Sequence, residues 1–491
     1  MRHLVTRAAL LALLTVVAAP PGAGARQEAQ PSPMRRVDSK AFPYPIHHQR
    51  LANGLDLIVI PTPEFRELVA FTTAVWAGSR NETEKGKTGL AHLFEHIMFR
   101  HEFGGVPGGY DEQIRRMGAY NNAFTTYDLT FYHPNTFTRN LVGPLERPGG
   151  AVRGLIELEA SRFKNLTVSE ETFRTEAGAV LGEYRRNFAD PAFSILEKTG
   201  AVAFADHPYG HTVIGLREDV ENMPNASAAA WEFFRSYYTP NNSALIVAGD
   251  VDPAAIAAEV ERWYADWKPR PTPLIPPAGP PDGEKHVHVP WDADVSPRVA
   301  VSYRTPAMNP ASRESIVNLL LGELLVSRSA PLFRKLRYEK QSVAVLTTFG
   351  LELSTDPHLL MIVAELHLDR FRKEGRAYPD EVRDDIIAGI EDLNAFSKQP
   401  NAAGTLKVIQ SKLRNDLLGA LSSPDAIATT FARFYRYGRD PRVFDVLLGT
   451  IEALTPADID AYAQKYFTPE RRIVTTLWGP GGPKAGAEAA R

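Results

Sequence analysis

Five consecutive residues, His92-Leu93-Phe94-Glu95-His96, carry side chains whose types and spacing can do chemistry. On a helix, positions four apart lie on one face, so the imidazoles of His92 and His96 can grip a single cation. Glu95 falls beside them, within reach of a water held at that cation. Three protein ligands and one open position make a hydrolytic zinc site, so a further ligand must come from elsewhere in the chain. With 13 histidines in 491 residues, this pattern arises by chance about 0.02 times in such a chain. The neighbours Leu93, Phe94, Ile97, Met98 and Phe99 are apolar and predict a buried helix. Two buried histidines next to a buried carboxylate require a compensating partner, and a cation provides one.

The pattern H-x-x-E-H is the inverse of the H-E-x-x-H zinc-peptidase signature. A second helix is predicted over SEETFRTEAGAVLGEYRRNF, with Thr167 or Ser169 as its cap. It offers Glu176 and Glu183, seven residues apart and therefore two turns along one face. On spacing alone, either glutamate can be the missing ligand.

Elements of both kinds must position these groups. LANGLDLIVIP carries the Asn53-Gly54 turn signal before an apolar run, and ELVAFTTAVWAGS and NNSALIVAGDV also predict strands. Helical patterns over GLAHLFEHIMFR, AVRGLIELEASRF and DPAAIAAEVERWYADW lie among them. Further on, SPRVAVSYRT, SVAVLTTFGLEL and HLLMIVAELHL predict strands, and RESIVNLLLGELLV and EVRDDIIAGIEDLNAFSK predict helices. The proline-rich stretch at 269–285 reads as an extended linker between halves at 40–268 and 286–478. Strands and helices in similar order on each side imply an α+β fold of two similar domains.

Composition narrows the function. The chain has no cysteine, which excludes disulfides, thiolate metal sites and a cysteine nucleophile. A net charge of −3 provides no field for nucleic acid. Residues 1–25 have a basic start, a short apolar run and Ala23-Gly24-Ala25, the pattern of a secretory signal. That predicts an exported, soluble, periplasmic protein without a membrane anchor, and the small polar residues 479–491 predict a frayed tail.

Several segments together resemble the pitrilysin/insulinase family of zinc metallopeptidases, in its shorter, processing-peptidase-like bacterial branch. They are GLAHLFEHIMF, GAYNNAFTTYDLTFYH, EAGAVLGEY, HPYGHTVIG, YYTPNNSALIVAGDV and LFRKLRYEK, and the likeness runs from about Leu51 to Phe467. The resemblance implies a clamshell of two domains, each a mainly antiparallel sheet packed with helices. The first carries the zinc site, and the second is a non-catalytic homologue. It also implies one Zn2+ per chain, held by His92, His96 and Glu183, with Glu95 as the catalytic base and Glu176 supporting the ligands. The 87 residues from His96 to Glu183 exceed the family's usual spacing, and insertions near GGVPGGYDE or VGPLERPGG account for the excess. Asn122 and Ala123 map to a strand at the edge of the site, where an extended peptide substrate adds as a further strand.

In the second half, Arg337 matches a substrate-contacting arginine, whereas the tyrosine that accompanies it in active relatives is replaced by Ala344. This departure implies a homologous partner subunit in a heterodimer, or a homodimer. The rival reading is a non-enzymatic or partner-dependent scaffold subunit. Glu84-Lys85-Gly86-Lys87-Thr88 resembles part of a phosphate-binding loop, but Asn81 stands where that motif needs glycine. No G-x-S-x-G elbow is present, which argues against a serine hydrolase.

Overall fold

The computed structural model describes residues 31–106, 108–147, 150–350 and 353–480. The signal-like residues 1–25 lie outside the described residues, as does the tail from 481 onward. Eight strands, β1 (Ser32–Val37), β2 (Ile46–Arg50), β3 (Asp56–Pro61), β4 (Leu68–Val75), β5 (Ala123–Thr125), β6 (Thr130–Tyr132), β7 (Asn135–Phe137) and β8 (Ser243–Gly249), form one sheet. Their order is β1-β2-β3-β8-β4-β6-β5, with β7 also paired to β4. A second sheet joins β9 (Lys285–Pro290), β10 (Arg298–Thr305), β11 (Val345–Phe349), β12 (His358–Glu365) and β13 (Arg472–Trp478) in the order β11-β12-β10-β13-β9.

The two sheets repeat one path. The run β3-β8-β4-β6-β5 has its counterpart in β9-β13-β10-β12-β11. Each contains one parallel pair, β3 with β8 and β9 with β13, and is otherwise antiparallel. This repetition makes the halves similar α+β units, as the recurring order of elements implies. Residues 268–284, in the proline-rich stretch between them, form neither helix nor strand.

Alternation along the strands gives the first sheet two apolar faces. Leu57, Val59, Phe71, Val75, Leu245 and Val247 pack with helices of the first half. Ile58, Ile60, Ala70, Ala74, Ala244, Ile246 and Ala248 face a core shared with the second half. The four alanines leave room for a helix to lie close, and helix Pro424–Tyr435 from the second half packs against β4 and β8. The exchange is reciprocal, because helix Pro191–Ala203 from the first half packs against β13 and β9 of the second sheet. Thr199 and Thr475 share a buried hydrogen bond of 2.8 Å across that contact. Each fully buried isoleucine on these faces contributes about 1.5–3 kcal/mol.

Candidate metal centre

His92, Glu95 and His96 lie on helix Leu90–Ile97, whose Leu90, Ala91, Leu93, Phe94 and Ile97 are buried. The helix starts after Gly89, which has φ 86°. A Cβ at Gly89 would sit 2.5 Å from the carbonyl oxygen of Ile214, so only glycine fits there. Gly89 has no side chain to cap the helix. The open N–H groups are instead satisfied by the buried carboxylate of Glu82, which accepts from Gly89 N and Ala91 N, each at 2.7 Å. Sequence reasoning missed Glu82; the only signal for it was a buried helix lacking a cap of its own.

Glu176 and Glu183 lie on helix Glu170–Phe188, which packs against the first. Ser169, one of the two cap candidates, accepts the N–H of Thr172 at 3.1 Å. Two turns of this helix set both glutamates toward the histidine pair. Nε2 of His92 is 3.5 Å from Oε2 of Glu183, and Nδ1 of His96 is 3.4 Å from Oε2 of Glu176. Nε of Arg100 donates to Oε1 of Glu176 at 2.7 Å. The imidazoles are 5.0 Å apart and nearly perpendicular. One ligand atom from each of His92, His96 and Glu183 falls within 4.8 Å of the others.

Imidazole nitrogen and carboxylate oxygen in this number suit zinc. Burial, with His96 adding to it, drives the pKa of His92 down to about 4, so its ring is the neutral electron-pair donor that a metal requires. For His96, burial pulls downward. The hydrogen bond to Glu176 and the charges of Glu183, Glu95 and Glu176 outweigh it and hold the pKa above the usual value. Burial raises the pKa of Glu95, with Glu183 adding to it, against the hydrogen bonds from Thr125 and the charge of His96. Glu176 is held below the usual carboxylate range: burial opposes this, and the hydrogen bonds from His96 and Arg100 prevail.

Glu95, His96, Phe99, Arg100, Asp111, Glu176 and Glu183 line a cleft of about 370 Å³. Arg100 and Asp111 were not singled out in the sequence. A larger depression of about 610 Å³ lies on helix Ala402–Gly419, but its lining includes no histidine and it is far in sequence from these groups.

Strand β5 is an edge of the first sheet and touches the His92–His96 helix. Ala123 is buried in β5, and Asn122 is exposed just before it. His133 N donates to Asn122 O and Thr126 N to Leu129 O, which fixes the alternation of the β5–β6 ladder. Ala123 and Thr125 therefore turn their backbone groups away from β6, toward the open edge. Thr125 lies beside Glu95, and its hydroxyl and N–H act against the burial that raises the pKa of that carboxyl. Arg337 lies in the turn Lys335–Glu339 and donates to Val343 O at 3.2 Å, next to Ala344. No hydrogen bond or ion pair among the described residues joins Arg337 to the histidine cluster.

An inverted histidine–glutamate helix opposed by a glutamate helix, in a fold of two repeated sheets, is the architecture of a zinc-peptidase class. Residues 58–216 match the model of the insulinase family (peptidase family M16), and residues 228–373 match the peptidase M16 inactive domain. The chain belongs to this family. A zinc protease PqqE of Helicobacter pylori is 26% identical over 392 residues, covering 78% of this chain and 82% of that protein. The mitochondrial-processing peptidase subunit beta of Blastocladiella emersonii is 27% identical over 214 residues, covering 43% of this chain and 42% of that protein. The crystal structure of a protease from Helicobacter pylori superposes with a TM-score of 0.76 at 23% identity, over 92% of this chain and 100% of that one. The periplasmic protease PqqL of Escherichia coli gives 0.69 at 16% identity, over 90% of this chain and 48% of that one. These likenesses support the two-domain clamshell fold.

Proposed function

We propose that this protein is a zinc-dependent endopeptidase that hydrolyses peptide bonds in extended or unfolded peptides. The observation that carries the reading is the convergence of His92, His96 and Glu183 within 4.8 Å, with Glu95 on the same helix and an open strand edge beside it. His92, His96 and Glu183 would hold one Zn2+ per chain. When bound, zinc supplies Lewis acidity, which polarises a carbonyl and acidifies water. Glu95 takes a proton from the attacking water on a carboxylate oxygen and returns it to the leaving amine. Glu176 fixes the ring of His96 through Nδ1. A substrate adds to β5 through the backbone of Ala123, with Asn122 at the strand entrance and Arg337 reaching it from the other half. Backbone pairing of this kind selects extended chains over folded ones.

In this reading, residues 40–268 form the catalytic half, and 286–478 form a homologous half without a zinc site. The relative named periplasmic, together with residues 1–25, supports export to the periplasm. Ala344, in the tyrosine position, favours a second reading in which full activity depends on a homologous partner subunit. A relative named as a processing-peptidase subunit supports a heterodimer.

The test is metal analysis of the purified chain together with cleavage of a flexible fluorogenic peptide. One zinc per chain and chelator-reversible cleavage that Glu95→Gln abolishes while retaining zinc are expected. Undiminished cleavage by Glu95→Gln overturns the mechanism. Cleavage by the chain alone at a rate that no partner increases overturns the partner-dependent reading.

A further inference from the structure

Behind the open strand edge lies a buried polar junction that the peptidase reading does not use. Asp128, 2% exposed, occupies the turn joining β5 to β6. Its carboxylate accepts from Tyr209 Oη at 3.0 and 2.9 Å and from Thr355 N at 2.9 Å. Nη2 of Arg436 lies 3.2 Å from the same carboxylate, and Nη1 of Arg436 donates to the Asp128 carbonyl. Thr355 and Arg436 come from the second half, and Arg436 ends the helix Pro424–Tyr435 that lies on the first sheet. Arg436 also donates to Thr355 Oγ1 at 2.6 Å, which closes the circuit.

The same turn is tied to the segment Ser79–Asn81, which packs against the His92–His96 helix. Arg80 N donates to Tyr127 O at 2.8 Å, and the Arg80 side chain is paired with Asp356 of the second half. On the far face of β5, Phe124 lies under the guanidinium of Arg433, 5.2 Å from the ring centroid. Strand β5 thus has a second-half cation on one face and second-half groups at its turn. On its free edge, β5 packs against the helix that carries Glu95, with Thr125 beside that carboxyl.

We propose that Asp128 is a positioning residue through which the second half holds β5, and with it Thr125, against Glu95. The inference rests on the peptidase reading for its catalytic meaning. It gives the half without a zinc site a task in every turnover: it sets the register of the substrate-binding edge relative to the base. Two residues, Thr126 and Tyr127, separate Asp128 from Thr125 along a short hairpin, so loss of the anchor is transmitted to Thr125 with little chain to absorb it. A displacement of about an ångström at a reacting group lowers rates by roughly a hundredfold.

The test uses the full chain carrying Asp128→Asn or, as a milder change, Arg436→Lys, which keeps the charge but loses the planar fork. Zinc content, kcat and KM on a flexible fluorogenic peptide, and amide hydrogen exchange of residues 122–132 are measured on each. Zinc content equal to wild type, hairpin exchange faster by about tenfold or more, and kcat/KM lower by roughly 10- to 100-fold, with kcat itself reduced, are expected. Should Asp128→Asn fail to fold, Arg436→Lys is judged by the same readouts. Folded variants whose hairpin exchange is unchanged, or whose exchange rises while kcat holds, overturn the proposal. A wild-type chain that binds zinc yet cleaves no peptide, alone or with a homologous subunit added, overturns the peptidase reading instead. The exchange data then still decide whether the second half holds the hairpin.

Discussion

Oε2 of Glu176 lies 3.4 Å from Nδ1 of His96, while its other oxygen is held by Arg100 at 2.7 Å. A carboxylate held there favours the tautomer with the proton on Nδ1, which leaves Nε2 free to bind a metal. Removing such a partner typically costs 10- to 100-fold in metal affinity. Glu176→Gln is expected to weaken zinc binding by about that factor, as measured by competition with a chromogenic chelator. Glu183→Ala is expected to lose stoichiometric zinc altogether, because it deletes a ligand. Equal affinity for Glu176→Gln and wild type would show that the ring needs no such support.

Glu82 sets a pH dependence on stability. Burial, with the charge of Asp219 adding to it, raises its pKa from 4.5 to about 8, against the hydrogen bonds from Ala91, Gly89 and Leu90. His211 faces it with Nδ1 at 3.8 Å, and burial lowers the pKa of that ring. The folded state therefore binds the Glu82 proton more tightly than the unfolded state does. Its contribution to stability is complete below pH 4.5 and is lost as pH rises through about 8. Glu82→Gln, uncharged at every pH but short of one acceptor, is expected to be less stable than wild type at pH 5. The gap should narrow toward pH 9 in paired thermal melts. A gap that widens with pH reverses the sign and refutes the assignment.

Substrate addition at β5 depends on backbone groups that face the open edge. Ala123→Pro removes one N–H from that edge without touching a metal ligand. Loss of one hydrogen bond of about 1.4 kcal/mol corresponds to roughly a tenfold rise in KM. Zinc content should not change. A KM equal to that of wild type on an extended peptide would place the substrate elsewhere.

Much of this site was legible because its signals are local. The His92–His96 spacing and the Glu176–Glu183 spacing are helical periodicities that need no partner to be read, and the structure sets both on helices facing one another. The choice between the two glutamates was not legible without the resemblance, since seven residues place both on one face. Packing sets Glu183 opposite His92 and Glu176 opposite His96, and groups one ligand atom of Glu183 with those of the two histidines. The contributions of Glu82, Thr125 and Asp128 escaped because each acts across a turn or a sheet, where sequence separation carries no periodic trace. The short strands β5, β6 and β7, three residues each, fall below the length at which alternation can be recognised. Helix Pro424–Tyr435 has an apolar stripe, but nothing in the stripe says that the sheet it covers belongs to the other half.

Arg162 supplies the severest stability test away from the metal. Its side chain and that of Glu159 are both fully buried, paired at 2.7 Å. Glu159 also accepts from Tyr110 Oη at 2.6 Å, and the guanidinium lies over the rings of Tyr110 and Tyr132 at 4.5 and 5.0 Å. Nε and Nη1 of Arg162 have no hydrogen-bond partner among the described residues, so the pair is incompletely compensated for its loss of water. Arg162→Leu leaves Glu159 as an uncompensated buried charge and should destabilise by about 3–5 kcal/mol. The double change Arg162→Leu with Glu159→Leu removes both charges and should recover most of that loss, as read from urea midpoints. Zinc content should be unaffected in the double variant, because neither residue contacts the metal ligands. If the double variant is no more stable than Arg162→Leu alone, the cost lies in packing against the tyrosine rings rather than in the orphaned carboxylate.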